Sequence, residues 1–544
     1  MNHATLGFAA ALLTAATLTA SPAHAQTPAS PPQKTNVILI FVDDMGFSDL
    51  GCYGGEINTP NLDRLANSGM KFKQFYNVAR CCPARACLLT GLYPHQAGIG
   101  NMVGAKAQNE KLGGPAYTDQ LNSSCVTIAE AIKPAGYKTL MSGKWHVGAE
   151  RPFWPCDRGF DDSFVLLGGG MNYFGHNFHE VGGLRASEMV RNDQPYVPPM
   201  EGFYSTDAFA DNANIFIKSA AAEHQAFFLY LPFNAPHFPL QAKPEDIAKY
   251  EGKYAMGWEK LRDSRHKRQV ELGIVDPKWD MQPVDPKAPT WESLGSDAQK
   301  AWSHRMAVYA AQVDCLDQNI GKVMATVKAA GIEQNTLIMF MSDNGASAES
   351  IDRGVKGAQP GTKESWCSYH IGWANASDTP FRLYKHWDHE GGISSPFIAY
   401  WPGTIKAGTV SNQVGHLIDM MPTVLDVAGG SYPREYKGQA ILPMEGKSLL
   451  PIFKGIERPV HDMLFWEHEG NKAVREIKGG EDLKLVQEFG GPWELFDMTA
   501  DRTEMHDLSK ARPEDVKRLS TAWQAWADRI HVRDWSAIKG PASK

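Results

Sequence analysis

Basic charge is not in surplus in this chain. Lysine and arginine number 54 against 61 aspartates and glutamates, for a formal net charge of −7, so the electrostatic footprint of a nucleic-acid binder is missing. Cysteine is sparse, with 8 in 544 residues. No C-x₂-C pair has a distant partner pair, which argues against a zinc ribbon or finger. Beyond the N-terminus there is no apolar run long enough to cross a bilayer. Nor is there a repeat period or a low-complexity tract, which sets aside solenoids and disordered tails. What remains is an ordinary globular composition, 43% hydrophobic and 21% charged. The length suffices for one large domain and a smaller one.

Residues 1–25 have the layout of a secretory signal. An Ala- and Leu-rich run from Leu6 to Ala20 precedes an A-x-A site, Ala23-His24-Ala25, before Gln26. The n-region is weakly basic, with only His3. No cysteine follows the cleavage site to carry a lipid, and the run is short for a membrane span. Residues 26–34 read as a Pro/Ser linker. The expectation is a periplasmic or secreted protein with no stable membrane anchor. Such a compartment permits disulfides among Cys52, Cys125, Cys156, Cys315 and Cys367, but the sequence does not pair them.

From Thr35 the chain alternates strands and helices for some four hundred residues. Continuous β-branched runs such as Thr35–Val42 and Thr336–Met341 read as buried parallel strands. Helical patterns follow Thr59, and cover Ser124–Ile132, Asp207–Ala222, Ser296–Ala330 and Leu417–Ala428. The pattern predicts an α/β fold, a large mixed, mostly parallel sheet with helices on both faces. Two segments of weak periodicity, about 148–206 and 242–296, read as loops over the active-site face. From about 456 short strands and an amphipathic helix, Pro513–Ile530, predict a small C-terminal α+β domain after a catalytic domain of 35–455.

The polar motifs gather at strand ends, where open α/β sheets bind ligands. Asp43-Asp44 and Asp343-Asn344 each follow a buried strand. Adjacent carboxylates repel unless a cation lies between them, and this donor set suits Ca²⁺ or Mg²⁺ rather than zinc. Lys144 and His146 follow a third strand in G-K-W-H, and His237 a fourth in N-A-P-H. Lys385 precedes Glu390-Gly391-Gly392, with Arg382 and His389 as decoys of the same kind.

One stretch stands apart: Cys81-Cys82-Pro83-Ala84-Arg85-Ala86-Cys87-Leu88-Leu89-Thr90-Gly91. Pro83 suits a first helical turn and Gly91 a left-handed residue after the helix. Cys81 should therefore sit at a helix N-terminus, where amides and the helix dipole favour an anion. Arg85, one turn on, can face the same spot. A thiolate phosphatase loop would place several backbone amides between Cys and Arg, and Pro83 interrupts that run.

C-x-P-x-R followed by x-x-x-L-T-G resembles the signature of the type I, formylglycine-dependent sulfatases. The strand-end motifs follow in that family's order, from Val37 through Trp493–Asp497. The similarity is strongest to bacterial arylsulfatases, through Gly257-Trp258-Glu259-Lys260-Leu261-Arg262 and Trp373-Ala374-Asn375-Ala376. The resemblance implies an alkaline phosphatase-like fold and a Cys81 converted to formylglycine by a maturation enzyme. It implies Ca²⁺, with Mg²⁺ second, held by Asp43, Asp44, Asp343 and Asn344 together with residue 81. Arg85 and Lys144 would hold residue 81 and the sulfate, Lys385 would contact the ester, His146 would bond the modified residue, and His237 would face the leaving group. The implied reaction is hydrolysis of sulfate monoesters, of aryl alcohols or carbohydrates, to alcohol and inorganic sulfate. The runner-up is a phosphonate monoester or phosphodiester hydrolase, which needs the same cradle for a tetrahedral oxyanion ester. A non-catalytic sulfoglycan binder would have lost a catalytic position, and none is lost.

Overall fold

The apolar run after Thr35 forms strand β1 (Asn36–Asp43), buried along its whole length. It lies in a computed structural model that describes residues 34–175, 188–477 and 480–540, with a few of the first ten. Nearly all of the leader expected at 1–25 and of the linker lies outside the described residues. Around β1 lie β2 (Met70–Tyr76), β3 (Lys138–Lys144), β4 (Asp162–Leu166), β5 (Met189–Arg191), β6 (Gln194–Tyr196), β7 (Phe227–Pro236), β8 (Thr336–Ser342), β9 (Ser394–Tyr400), β10 (Thr409–Ser411) and β11 (Gly415–His416). They form one sheet in the order β10-β2-β9-β8-β1-β7-β3-β4-β5-β6, with β11 on β2. The centre, β8-β1-β7-β3-β4, is parallel. β9 runs against both β8 and β2, and β4, β5 and β6 pair antiparallel at the far edge. The fold is thus α/β around a mixed, mostly parallel sheet.

Both faces are buried, which is why the central strands read as unbroken apolar runs. Val37, Leu39 and Phe41 of β1 join one core; Ile38, Ile40 and Val42 join the other. The helices Ser205–Ala222 and Ser296–Ala329 cover the second face through Phe209, Ala213, Met306 and Val313. The helices Cys81–Thr90 and Met420–Ala428 cover the first through Ala84, Leu88, Met421 and Val424. Each buried Phe, Met, Val or Leu among them contributes about 1.5–3 kcal/mol.

After a short hairpin, β12 (Glu435–Tyr436) and β13 (Gln439–Ala440), comes a second antiparallel sheet: β14 (Met463–His468), β15 (Asn471–Glu476), β16 (Leu483–Gln487) and β17 (Glu494–Asp497). The helix Pro513–Arg529 packs on it. Leu464, Trp466, Val474 and Leu485 belong to the same core as β1. A polar seam sits beside that core. The Glu390 carboxylate accepts from Lys484 Nζ (3.0 Å), Arg502 Nε (2.9 Å) and the Tyr76 hydroxyl (2.9 Å), and Arg475 donates to Tyr76. Burial alone would raise the Glu390 pKa, but Lys484, Arg502 and Arg475 bring it down to about 2. Breaking such a buried set by removing one partner costs roughly 3–5 kcal/mol.

Three expectations need correction. The segment 148–206 is not all loop: it carries β4, β5 and β6, with residues 176–187 outside the described set. The segment 242–296 carries a helix, Trp258–Glu271. Its inward positions are Trp258, Leu261, Arg262, Arg265 and Gln269. The spacing is helical, but arginine and glutamine stand where apolar residues are expected, so no amphipathic stripe shows. Arg265 donates to Glu56 (2.7 Å) and Asp49 (2.7 Å), which is what makes its burial tolerable. The helix expected over Ser124–Ile132 starts only at Ile128, because Thr127 and Glu130 form a capping box there. All eight cysteines are free thiols. No helix among the described residues is long and apolar enough to cross a membrane.

Candidate active site

Register assembles the site. β1 and β8 pair with Val42 opposite Ser342, so Asp43-Asp44 and Asp343-Asn344 leave the sheet side by side. β7 pairs with β1 on the other side, Asp43 opposite Pro236, and delivers His237. β3 follows β7 and ends at Lys144, with His146 two residues on. Four motifs hundreds of residues apart in sequence thus meet at the same end of four neighbouring parallel strands. Asp44 (φ 65°) and His146 (φ 56°) are left-handed though neither is glycine. Such residues store roughly 1–3 kcal/mol of strain, and the surrounding structure has to hold them there.

Cys81 is the first residue of its helix and is 2% exposed. No side chain caps that helix end, and Gly91 is left-handed (φ 69°) at the other. A hydrogen bond from Cys82 lowers the Cys81 thiol well below the usual range; burial opposes this, and Lys144 and His146 add to it. The thiols of Cys82 and Cys87 are pushed up by burial. His146 also bonds Cys81, and burial lowers its own pKa. Its Nδ1 is buried with no hydrogen-bond partner.

Cations and carboxylates interleave around this point. Arg85 donates to the Lys144 carbonyl (2.9 Å), to Asp43 Oδ2 (3.0 Å) and to Asp343 Oδ2 (3.4 Å). Lys144 Nζ also donates to Asp43 Oδ2. Burial would raise the Asp43 pKa, but Lys144, His237 and Arg85 carry it down to about 2. Asp343 goes the other way, raised by burial and then by its neighbour Asp43. Lys385 Nζ donates to Asp44 Oδ2 (3.0 Å) and Glu349 Oε2 (3.0 Å). His237 holds the Phe238 carbonyl through Nδ1 (2.6 Å) and turns Nε2 toward Asp44 Oδ2 (3.6 Å). Asn344 Nδ2 donates to Asp44 Oδ1 (2.7 Å).

All the expected site residues are therefore gathered in one buried cluster, and the two decoys are not. Arg382 and His389 pair instead with Glu494 of β17. Two functional neighbours were missed by sequence reasoning. Glu349 sits in the loop after β8, pairs with Lys385 and Arg80, and is held well below the carboxylate range by those cations against its burial. Arg80 could have been found, since it directly precedes Cys81; Glu349 has no local signal.

The donor set fits a hard divalent cation. Asp43 Oδ1 and Asn344 Oδ1 are buried oxygens with no hydrogen-bond partner, and the carboxylates of Asp43, Asp44 and Asp343 converge beside them. Arg80, Arg85, Lys144 and Lys385 stand among Asp43, Asp44, Asp343 and Glu349, so the carboxylates offset much of the pull on an anionic ester. A divalent cation among these oxygens would tip the site toward an anion.

The whole architecture has known counterparts. Residues 35–431 match the Sulfatase family profile, and residues 381–522 match that of the N-sulphoglucosamine sulphohydrolase C-terminal region. The chain is 35% identical to an arylsulfatase of Klebsiella aerogenes over 78% of this chain and 93% of that protein. It is 30% identical to the N-acetylgalactosamine-6-sulfatase of Homo sapiens over 79% of this chain and 68% of that one. The crystal structure of Ps i-CgsB in complex with k-i-k-neocarrahexaose superposes with a TM-score of 0.67 at 27% identity, covering 91% of this chain and 93% of that one. This chain belongs to the sulfatase family, the hydrolases of sulfuric esters.

Proposed function

We propose that the chain hydrolyses sulfate monoesters of carbohydrates and aryl alcohols, with residue 81 as formylglycine and with Ca²⁺ held by Asp43, Asp44, Asp343 and Asn344. The observation that carries this is the meeting of Cys81, at an uncapped helix end, with Arg85, Lys144 and a carboxylate cluster that has unpartnered oxygens. The relatives named for arylsulfate and sugar sulfate hydrolysis support the substrate class. Bound there, calcium would act as a Lewis acid on the sulfuryl oxygens and lower the pKa of a hydroxyl on residue 81. Converted and hydrated, residue 81 supplies a hydroxyl nucleophile and a second hydroxyl through which sulfate can leave.

The other steps belong to unmodified residues of the chain. Lys144 and Lys385 offset charge on the sulfuryl oxygens as the S–O bond breaks. His146, bonded to residue 81, takes a proton there. His237 is anchored at Nδ1 by the Phe238 carbonyl, so Nε2 is the atom that moves a proton to the departing oxygen. The reading is tested by measuring inorganic sulfate released from a panel of sulfated sugars and aryl sulfates, with aryl phosphonates in parallel. Faster turnover of phosphonates would make the chain a phosphonate hydrolase instead.

The role of His237 makes a separate prediction. A sugar alkoxide needs a proton as it leaves, and a nitrophenolate does not. General acid help is typically worth about 10²–10⁴-fold. His237→Ala should therefore slow alkyl and sugar sulfates by that factor and nitrophenyl sulfate far less. Across phenyl sulfates of graded leaving-group pKa, kcat/KM should depend more steeply on pKa than in the wild type. Uniform loss with an unchanged slope would make His237 a sulfate-binding residue and leave Lys385 as the acid.

The same proposal takes residues 1–25 as a signal for export and 26–34 as a linker to a catalytic domain of 35–455, followed by a small domain of 456–544. Exported protein whose N-terminal sequence begins at Gln26 would support it; a mature protein that still begins at Met1 would refute it.

A further inference from the structure

Outside the carboxylate cluster, a second group of metal-binding side chains faces the same end of the sheet. We propose that His386, His468 and Glu469 form a transition-metal site, suited to Zn²⁺, that ties the β14–β15 hairpin to the segment carrying Lys385. One ligand atom from each of the three residues lies within 4.8 Å of the other two. His386 Nδ1 is 3.4 Å from Glu469 Oε2, and His468 Nε2 is 3.8 Å from Glu469 Oε1. Ligand atoms about 2.0–2.2 Å from a tetrahedral zinc lie roughly 3.3–3.6 Å from one another, so small side-chain adjustments complete the geometry.

The independent sign of a ligand is His468. Its ring is buried, its side chain 1% exposed, and neither ring nitrogen has a hydrogen-bond partner. Leaving a buried polar group unsatisfied costs about 1–3 kcal/mol, and a metal bond at Nε2 would remove that cost. The frame is already built. His468 pairs with Asn471 across a two-residue turn, Glu469-Gly470, in which both residues have positive φ (49° and 86°), as a tight hairpin turn requires. Asn471 Nδ2 donates to the carbonyls of His386 (3.2 Å) and His468 (3.0 Å), and the His386 amide donates to Ala79 (2.8 Å), two residues before Cys81. His386 is 22% exposed and Glu469 18%, which leaves a coordination position open to water or to a ligand oxygen. The nearby Arg80 charge is matched by Glu349. Two imidazoles and one carboxylate favour zinc over calcium, which takes oxygen donors.

The test uses the full chain in a Cys81→Ala background, which removes the competing thiol, stripped with chelator and reloaded with calcium. Calorimetry with Zn²⁺ should give one ion per chain and a rise in Tm, and Co²⁺ should give the visible bands of a four-coordinate ion. His468→Ala and Glu469→Gln should each weaken zinc by more than about 100-fold, the upper loss seen on removing an outer-shell partner alone. Glu469 lies on a turn, so its variant keeps the fold should His468→Ala not, with circular dichroism as the check. Failure of the parent chain to bind zinc, or unchanged affinity in the folded Glu469→Gln chain, overturns the proposal. Neither result bears on sulfate hydrolysis, which is measured separately.

Discussion

Cys81→Ser protein is expected to fold as the wild type does and to turn over sulfate esters about 10⁴–10⁶-fold more slowly, the range seen when members of a catalytic nucleophile set are removed. Serine fits the first turn of the helix and leaves Arg85 and Lys144 on Asp43. Its hydroxyl can attack sulfur once. The serine sulfate so formed has no second hydroxyl from which to expel the group, so each chain stalls after one event and residual turnover waits on slow hydrolysis of that ester by water. Mass spectrometry should find sulfate retained on the peptide that contains residue 81. In the wild type the same peptide should show sulfur replaced by an aldehyde oxygen at 81, with Cys82 and Cys87 intact. Both of those thiols are buried and pushed up in pKa, and Cys82 Sγ accepts the Val103 amide (3.2 Å). Full activity with an unmodified Cys81 would sink this account.

The second large effect is expected at Asp343. Asp343→Ala should abolish calcium binding and lower kcat/KM by at least about 10³-fold, the several kcal/mol that Lewis-acid stabilisation typically supplies. Asp343 Oδ1 accepts the Asp44 amide (3.1 Å) and Oδ2 accepts from Arg85 (3.4 Å). The substitution therefore also frees the backbone that holds Asp44 left-handed. Asp343→Asn separates the two consequences, since it keeps the shape and removes the charge. Elemental analysis should find calcium in the wild type and little in either variant. A metal-free Asn variant with wild-type turnover would remove the metal from the mechanism.

Asp43, Asp44, Asp343, Asn344, Lys144, His146 and His237 were legible because each ends or closely follows a buried strand, and strand ends in a parallel sheet share one face. Cys81 and Arg85 were legible because Pro83 and Gly91 fix the helix between them. A mixed, mostly parallel sheet was expected, but not which strands run against the rest. Nothing in Ser394–Tyr400 tells which way the strand runs, and β9 turned out antiparallel to both neighbours. The helix Trp258–Glu271 was hidden because its core-facing positions are Arg262, Arg265 and Gln269, which are paired by residues far away in sequence. Glu349, His468 and Glu469 were illegible for a related reason: they sit on loops and a hairpin turn, and only tertiary packing brings them to Cys81's side of the sheet.

The seam around Glu390 bears on when residue 81 can be reached. Cys81 is 2% exposed in the folded chain, in the first turn of a buried helix, so the enzyme that would convert it under the proposed reading has to reach it before the core closes. Complete closure includes Lys484 and Arg502, the cations that meet the buried Glu390 carboxylate. Those residues leave the ribosome about 400 residues after Cys81, which at roughly 5–20 residues per second is an interval of about 20–80 s. Under the proposed reading, the C-terminal sheet would then bound how long residue 81 stays open to conversion, and variants that hasten or delay its synthesis would change the fraction of chains that leave the ribosome's reach already competent.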